Sequence, residues 1–145
     1  MQNKALVIGS EAWQRAASIY VRMRVFVLER GIDLKDEFDQ NDVPGVTYAV
    51  IYDGKEPVAT GRFLREGEDE GRLTRIATLA DHRGQHLGSQ IITALERHAQ
   101  SVHVHKLTIH AELTAVTFYE RLGYHSVSDV YYEDGVACRV LARRL

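Results

Sequence analysis

The sequence predicts a mixed α/β fold of the α+β kind, a twisted sheet with helices packed on it. Three observations carry this. Strand-like and helix-like runs interleave along the chain. One strand feeds the glycine-containing stretch HRGQHLGSQ, His82 to Gln90, and an amphipathic segment follows directly. The chain has 145 residues, 45% hydrophobic and 26% charged, enough for one domain with a real core.

Taken in order, Ala5 to Ile8 is a short apolar first strand. Ser10 is placed to cap a helix in which Trp13, Ala16, Ala17, Tyr20, Met23 and Val27 recur at helical spacing. That helix runs to about Glu29 and stops at Gly31. IDLKDEFDQNDVPG is acidic and turn-rich, a loop with room for a short helix. VTYAVIYDGKEPVATGRFL is two β-rich runs turning at Asp53-Gly54, residue types that tolerate positive φ. RLTRIATL is a third antiparallel-type strand. Leu87, Ile91, Ile92, Leu95 and Ala99 then mark one face of a helix. KLTIHA is a strand, and Thr114 is placed to cap a helix ending at Gly123. The closing residues form strands turning at Asp134-Gly135.

Bulk properties exclude several classes. A formal charge of −2 argues against a nucleic-acid binder, which carries a basic surplus. No apolar run is long enough to span a membrane, and MQNKALVIGS lacks signal-peptide character. The single cysteine, Cys138, has no internal partner, reads as buried and inert, and fits a cytoplasmic protein. His103 and His105 lack a third ligand at metal spacing, so no metal is expected.

The glycine-rich turn can hold an anion. Backbone N–H groups at a helix start are unpaired, and the helix dipole adds positive potential there. Arg83 adds a forked donor, Gly84 and Gly88 allow close approach, and Ser89 offers a hydroxyl. The lysine of a nucleotide-binding P-loop and the G-x-G-x-x-G of dinucleotide binders are both absent. Alone, these glycines serve equally well as a tight strand-to-helix turn.

Downstream, IHAELTAVTFYERLGYHSV joins the loop in a recognisable pair. Together they resemble the GNAT superfamily of N-acetyltransferases. Its loop, Arg/Gln-x-x-Gly-x-Gly/Ala, is matched by Arg83, Gly84, Gln85, His86, Leu87 and Gly88, with His86 at a glycine position. Its later motif is matched by Ala115, Phe118, Tyr119, Gly123 and Tyr124, with Glu112 where Asn is common. RVFVLERGIDLKDEFDQND and YYEDGVACRVL further resemble a bacterial subgroup called ElaA- or YjcF-like, with Ala137-Cys138 in place of Pro-His. The resemblance covers most of the chain.

It implies a single N-acetyltransferase domain over 1–145, with about six or seven mostly antiparallel strands and about four helices. It implies acetyl transfer from acetyl-CoA to a primary amine in a ternary complex. The pyrophosphate would lie on Arg83, Gly84, Gln85, His86, Leu87, Gly88 and Ser89, and the pantetheine along Ile76, Ala77 and Thr78. A backbone N–H near Ile76–Thr78 would hold the oxyanion, and Tyr119 would be the acid. Glu112, His110, Glu37, Asp39 and water stay open as the base. Asp36, Glu37, Asp39 and Asp42 read as a solvated face, or as the border of a cleft for a cationic acceptor. The competing reading is a non-catalytic acyl-CoA-binding domain. The acceptor is left open, and so is the oligomeric state, a homodimer included.

Overall fold

The protein, as a computed structural model, is described over residues 4–145. The first three residues of the predicted domain lie outside that range. Strand β1 (Lys4–Gly9) leads to helix α1 (Ala12–Arg22), which continues as a wider π-helical stretch over Met23–Glu29. The short α2 (Leu34–Glu37) precedes β2 (Thr47–Asp53), β3 (Glu56–Arg65) and β4 (Glu70–Thr78). Then come α3 (Leu87–Ser101), β5 (Lys106–Glu112), α4 (Val116–Arg121), β6 (His125–Ser126), β7 (Tyr131–Glu133) and β8 (Val136–Arg144). All eight strands join one sheet in the order β1-β2-β3-β4-β5-β8-β6, with β7 on β8. This is the mixed, mostly antiparallel fold that the sequence implies. The extra strand reflects β6 and β7, too short to show a period.

Helices cover both faces. On one, Ser18 of α1 meets Thr60 of β3, O to O at 2.7 Å. On the other, the Cβ of any residue replacing Gly61 would come within 2.6 Å of Ile91, so glycine lets α3 lie close to β3. The α3 face expected from periodicity is the face buried: Leu87, Ile91, Ile92, Leu95 and Ala99.

α1 is different. Its buried residues are Gln14, Ala17, Ser18, Val21 and Arg22, while Trp13 is 56% exposed and Ala16 and Tyr20 face solvent. The helix is rotated from the expected apolar stripe because its polar residues have buried partners. Its cap is Glu11, not Ser10, in a reciprocal box with Gln14. Nor does Thr114 cap α4, for it lies inside a 3-10 turn over Leu113–Ala115. The first hairpin turns at Gly54 and Lys55, one residue later than expected, because Asp53 still pairs with Glu56. At the last hairpin Asp134 and Gly135 both have positive φ, as that tight turn requires.

The one parallel pairing positions the site. β4 and β5 pair from Glu70/Lys106 to Leu73/Ile109 and then part. Beyond Leu73, β4 stays bonded to β3 alone. A bulge interrupts that ladder, and within it Arg75 takes a left-handed conformation, φ 56°.

Candidate active site

The gap between β4 and β5 opens into a cavity of about 740 Å³. Ile76, Glu37, His110, Glu112 and Tyr119 all line it, whereas Asp39 does not. The structure thus brings residues from four separate segments to one space.

One wall rests on a buried ionic network. Arg22 grips Asp42 with two donors at 2.7 and 2.9 Å and reaches Glu37 at 3.0 Å. Arg62 bonds Asp39 and Asp42, each at 3.0 Å, and Tyr48 donates to Asp42 at 2.8 Å. Arg75 completes the set on Glu37 at 3.0 Å and Asp39 at 3.1 Å. Burial alone would raise the Asp42 pKa, but its bonds from Arg22 and Tyr48 hold it far below the usual range. For Glu37 burial wins over Arg75 and Arg22, and its pKa rises. The acidic run is therefore no solvated face: Glu37 is buried, the Asp42 side chain is only 8% exposed, and of the four only Asp36 is both exposed and at the cavity. Sequence reading passed over the arginines because burial of a charge shows only once its partners are placed.

Tyr119 is 7% exposed, and its hydroxyl has no protein hydrogen bond among the described residues. Burial, then the Glu112 charge, push its pKa up to about 12, so it stays protonated at neutral pH. The candidate bases differ in state. Glu112 is tied to Arg30 at 2.6 Å, and Asp39 to Arg62 and Arg75. His110 lines the cavity with its Nδ1 buried and unpartnered. Burial, then the Arg72 charge, lower its pKa, which keeps the ring neutral.

The loop after β4 lies outside this cavity. Among the described residues its N–H groups from Gly84 through Ser89 have no protein acceptor, and no side chain caps α3. Ser89 instead donates its hydroxyl to the His86 carbonyl at 2.9 Å. His86 occupies the cap position at φ 62°, a conformation that glycine adopts without strain. Arg83 does not stand free. Glu29 takes both of its terminal nitrogens at 2.8 Å, and its Nε donates to the Thr78 carbonyl at 3.0 Å. A Cβ on Gly88 would stand 3.4 Å from the Phe118 ring, so α4 abuts the first turn of α3. Ile76, Ala77 and Thr78 form the β4 segment whose outer edge is unpaired.

Elsewhere His105 pairs with Asp69 at 2.7 Å and is exposed, as is His103. Cys138 is buried. Among the described residues, no three His, Cys, Asp or Glu side chains converge as metal ligands. No described helix is long and apolar enough to cross a membrane.

A parting pair of strands, a free strand edge and an open helix start are what an acyl-transferring enzyme needs to seat an extended thioester. Comparison with known proteins makes this specific. The acetyltransferase (GNAT) domain pattern matches residues 32–139. A Streptococcus pyogenes protein, named uncharacterized acetyltransferase in arcA 3'region, is 47% identical over 112 residues, 77% of each chain. The Bacillus subtilis protein named uncharacterized N-acetyltransferase YjcF is 34% identical over 128 residues, 88% of this chain and 90% of that one. A candidate N-acetyltransferase from Lactobacillus plantarum, 34% identical, superposes with a TM-score of 0.94 over 98% of both chains. The chain belongs to the GNAT family of acetyltransferases, and it is an acyltransferase.

Proposed function

We propose that the protein transfers an acetyl group from acetyl-CoA to a primary amine, in a ternary complex and within one catalytic domain spanning 1–145. The observation that carries this is the free edge of β4, Thr74–Thr78, running into the unpaired N–H row of Gly84–Ser89. An extended chain of amides ending in a pyrophosphate complements such a surface from end to end. The loop residues fit the group: the donors are free, and no side chain caps the helix start.

In this reading the acetyl carbon lies at the mouth of the β4–β5 gap. His110 takes the proton of the incoming ammonium on its unpartnered ring nitrogen. The freed amine attacks, forming the C–N bond, and the oxyanion is met by a β4 backbone N–H near Ile76–Thr78. Collapse breaks the C–S bond, the second nitrogen proton passes to solvent as the amide forms, and the sulfur leaves as thiolate with Tyr119 donating a hydrogen bond toward it. With the Tyr119 pKa raised, its hydroxyl acts mainly as a hydrogen-bond donor to developing thiolate, since full proton transfer is uphill. A cytoplasmic site of action belongs to the same reading.

The test is thiol release from acetyl-CoA across a panel of amines, paired with a melting curve in CoA alone. Saturating CoA at a hundredfold excess over Kd should add about 2.7 kcal/mol of stability. No shift at millimolar CoA would overturn the proposal.

A further inference from the structure

The cavity carries three arginines of unequal state. Arg30 is closed by Glu112, and Arg75 by Glu37 and Asp39. Arg72 has no close carboxylate among the described residues, its nearest being Glu66 at 4.0 Å. Its Nε is buried and makes no hydrogen bond. Arg72 stands opposite Thr108 in the last paired stretch of β4 and β5, and His110 lies two residues further along β5. Tyr131 of β7 packs edge-on against the His110 ring, centroids 6.1 Å apart, and its hydroxyl is also buried without a partner.

Three unmatched buried polar groups in one neighbourhood are unusual, since buried donors and acceptors are nearly always paired. Their chemistry is complementary to one kind of ligand. The guanidinium presents a fork of N–H donors suited to the two oxygens of a carboxylate. The neutral imidazole offers an acceptor for an ammonium. An α-amino acid carries these two groups a few ångströms apart. The cavity lining also includes Asp33, Asp36 and, beside His110, Glu133, carboxylates that draw cations toward the opening.

We propose that the acceptor is a free amino acid, its carboxylate held by Arg72 while its amine faces His110. This rests on the acetyltransferase reading above and narrows it to a substrate class. Arg72 is then a specificity residue, and it separates an amino acid from the same molecule without its charge.

The experiment uses matched triplets: each amino acid, its carboxamide and its decarboxylated amine. Two readouts are taken on the full chain, heat of binding in the presence of CoA and thiol release with acetyl-CoA. At least one amino acid should be bound and acetylated about 10- to 100-fold better than its amide, the range of a lost charged hydrogen bond. Arg72→Gln should erase the preference, bringing KM for the acid to that of the amide. Arg72→Lys, which keeps the charge beside His110 but loses the fork, should do the same in smaller degree and serves as a second variant. Equal use of acid and amide, or equal loss on both in Arg72→Gln, overturns the proposal while the acetyltransferase stands. Arg72-dependent binding of amino acids with no transfer to any amine overturns the catalytic reading and keeps the carboxylate site.

Discussion

Arg83 and Glu29 face each other as a two-pronged ion pair, both contacts at 2.8 Å, across the start of the loop between β4 and α3. The arginine that the sequence assigns to the cofactor is thus already satisfied by a carboxylate from the end of the first helical segment. A pyrophosphate seated on that loop competes with Glu29 for the same guanidinium and meets its negative charge.

Glu29→Gln should therefore tighten CoA binding. The pair is exposed and screened by solvent, so the gain should be only about two- to fivefold. Isothermal titration with CoA reads it. Weaker binding by the variant would show that Glu29 holds Arg83 in its productive pose.

His86→Gly should leave CoA affinity intact or improved, and the protein no less stable. A left-handed non-glycine residue costs about 1 kcal/mol, which glycine avoids, offset by a similar gain of freedom in its unfolded chain. Thermal unfolding and CoA titration of the variant check both halves. A clear loss of affinity would mean that the ring contacts the phosphates.

Tyr119→Phe should keep the fold and CoA affinity while lowering kcat by about 100-fold, the low end for a lost general acid. The ring supplies the packing against Tyr124 and Phe118, and only an unengaged hydroxyl is removed. Turnover at saturating acetyl-CoA decides it. A rate within about twofold of wild type, with chemistry limiting, would reduce Tyr119 to a packing residue.

Asp42→Asn should destabilise the protein by about 3–5 kcal/mol, because it strips a counter-charge from two buried arginines at once. The Asp42 and Asp39 pKa values are lowered by folding. Their contribution is therefore present above the ordinary carboxylate pKa, near 4, and is lost as pH falls below it. Glu37, raised instead, works in the opposite sense. Urea unfolding from pH 7 down to 3 should show a steep acid loss in wild type and a flatter one in Asp42→Asn.

The fold was legible wherever burial follows hydrophobicity. The α3 face and the helix stop at Gly31, where φ is 76°, both follow from residue type alone. The α1 face did not, because Ser18 and Arg22 are buried by partners from β3 and from the 37–42 segment. The loop and Tyr119 were readable because their motif is contiguous in sequence. Arg72, His110 and Tyr131 come from three strands, and nothing local marks them as neighbours. Glu29 was likewise invisible as a rival for Arg83, being 54 positions away in the chain.

The left-handed bend at Arg75 ties two inheritances together. Its backbone sets the course of the β4 edge, while its side chain fastens Glu37 and Asp39 at the other wall. A lineage drifting to glycine here would keep the bend and release the wall, whereas one drifting to lysine would keep a charge but lose the fork. The course of the β4 edge and the anchoring of Glu37 are therefore not free to diverge one at a time: a single codon answers for both.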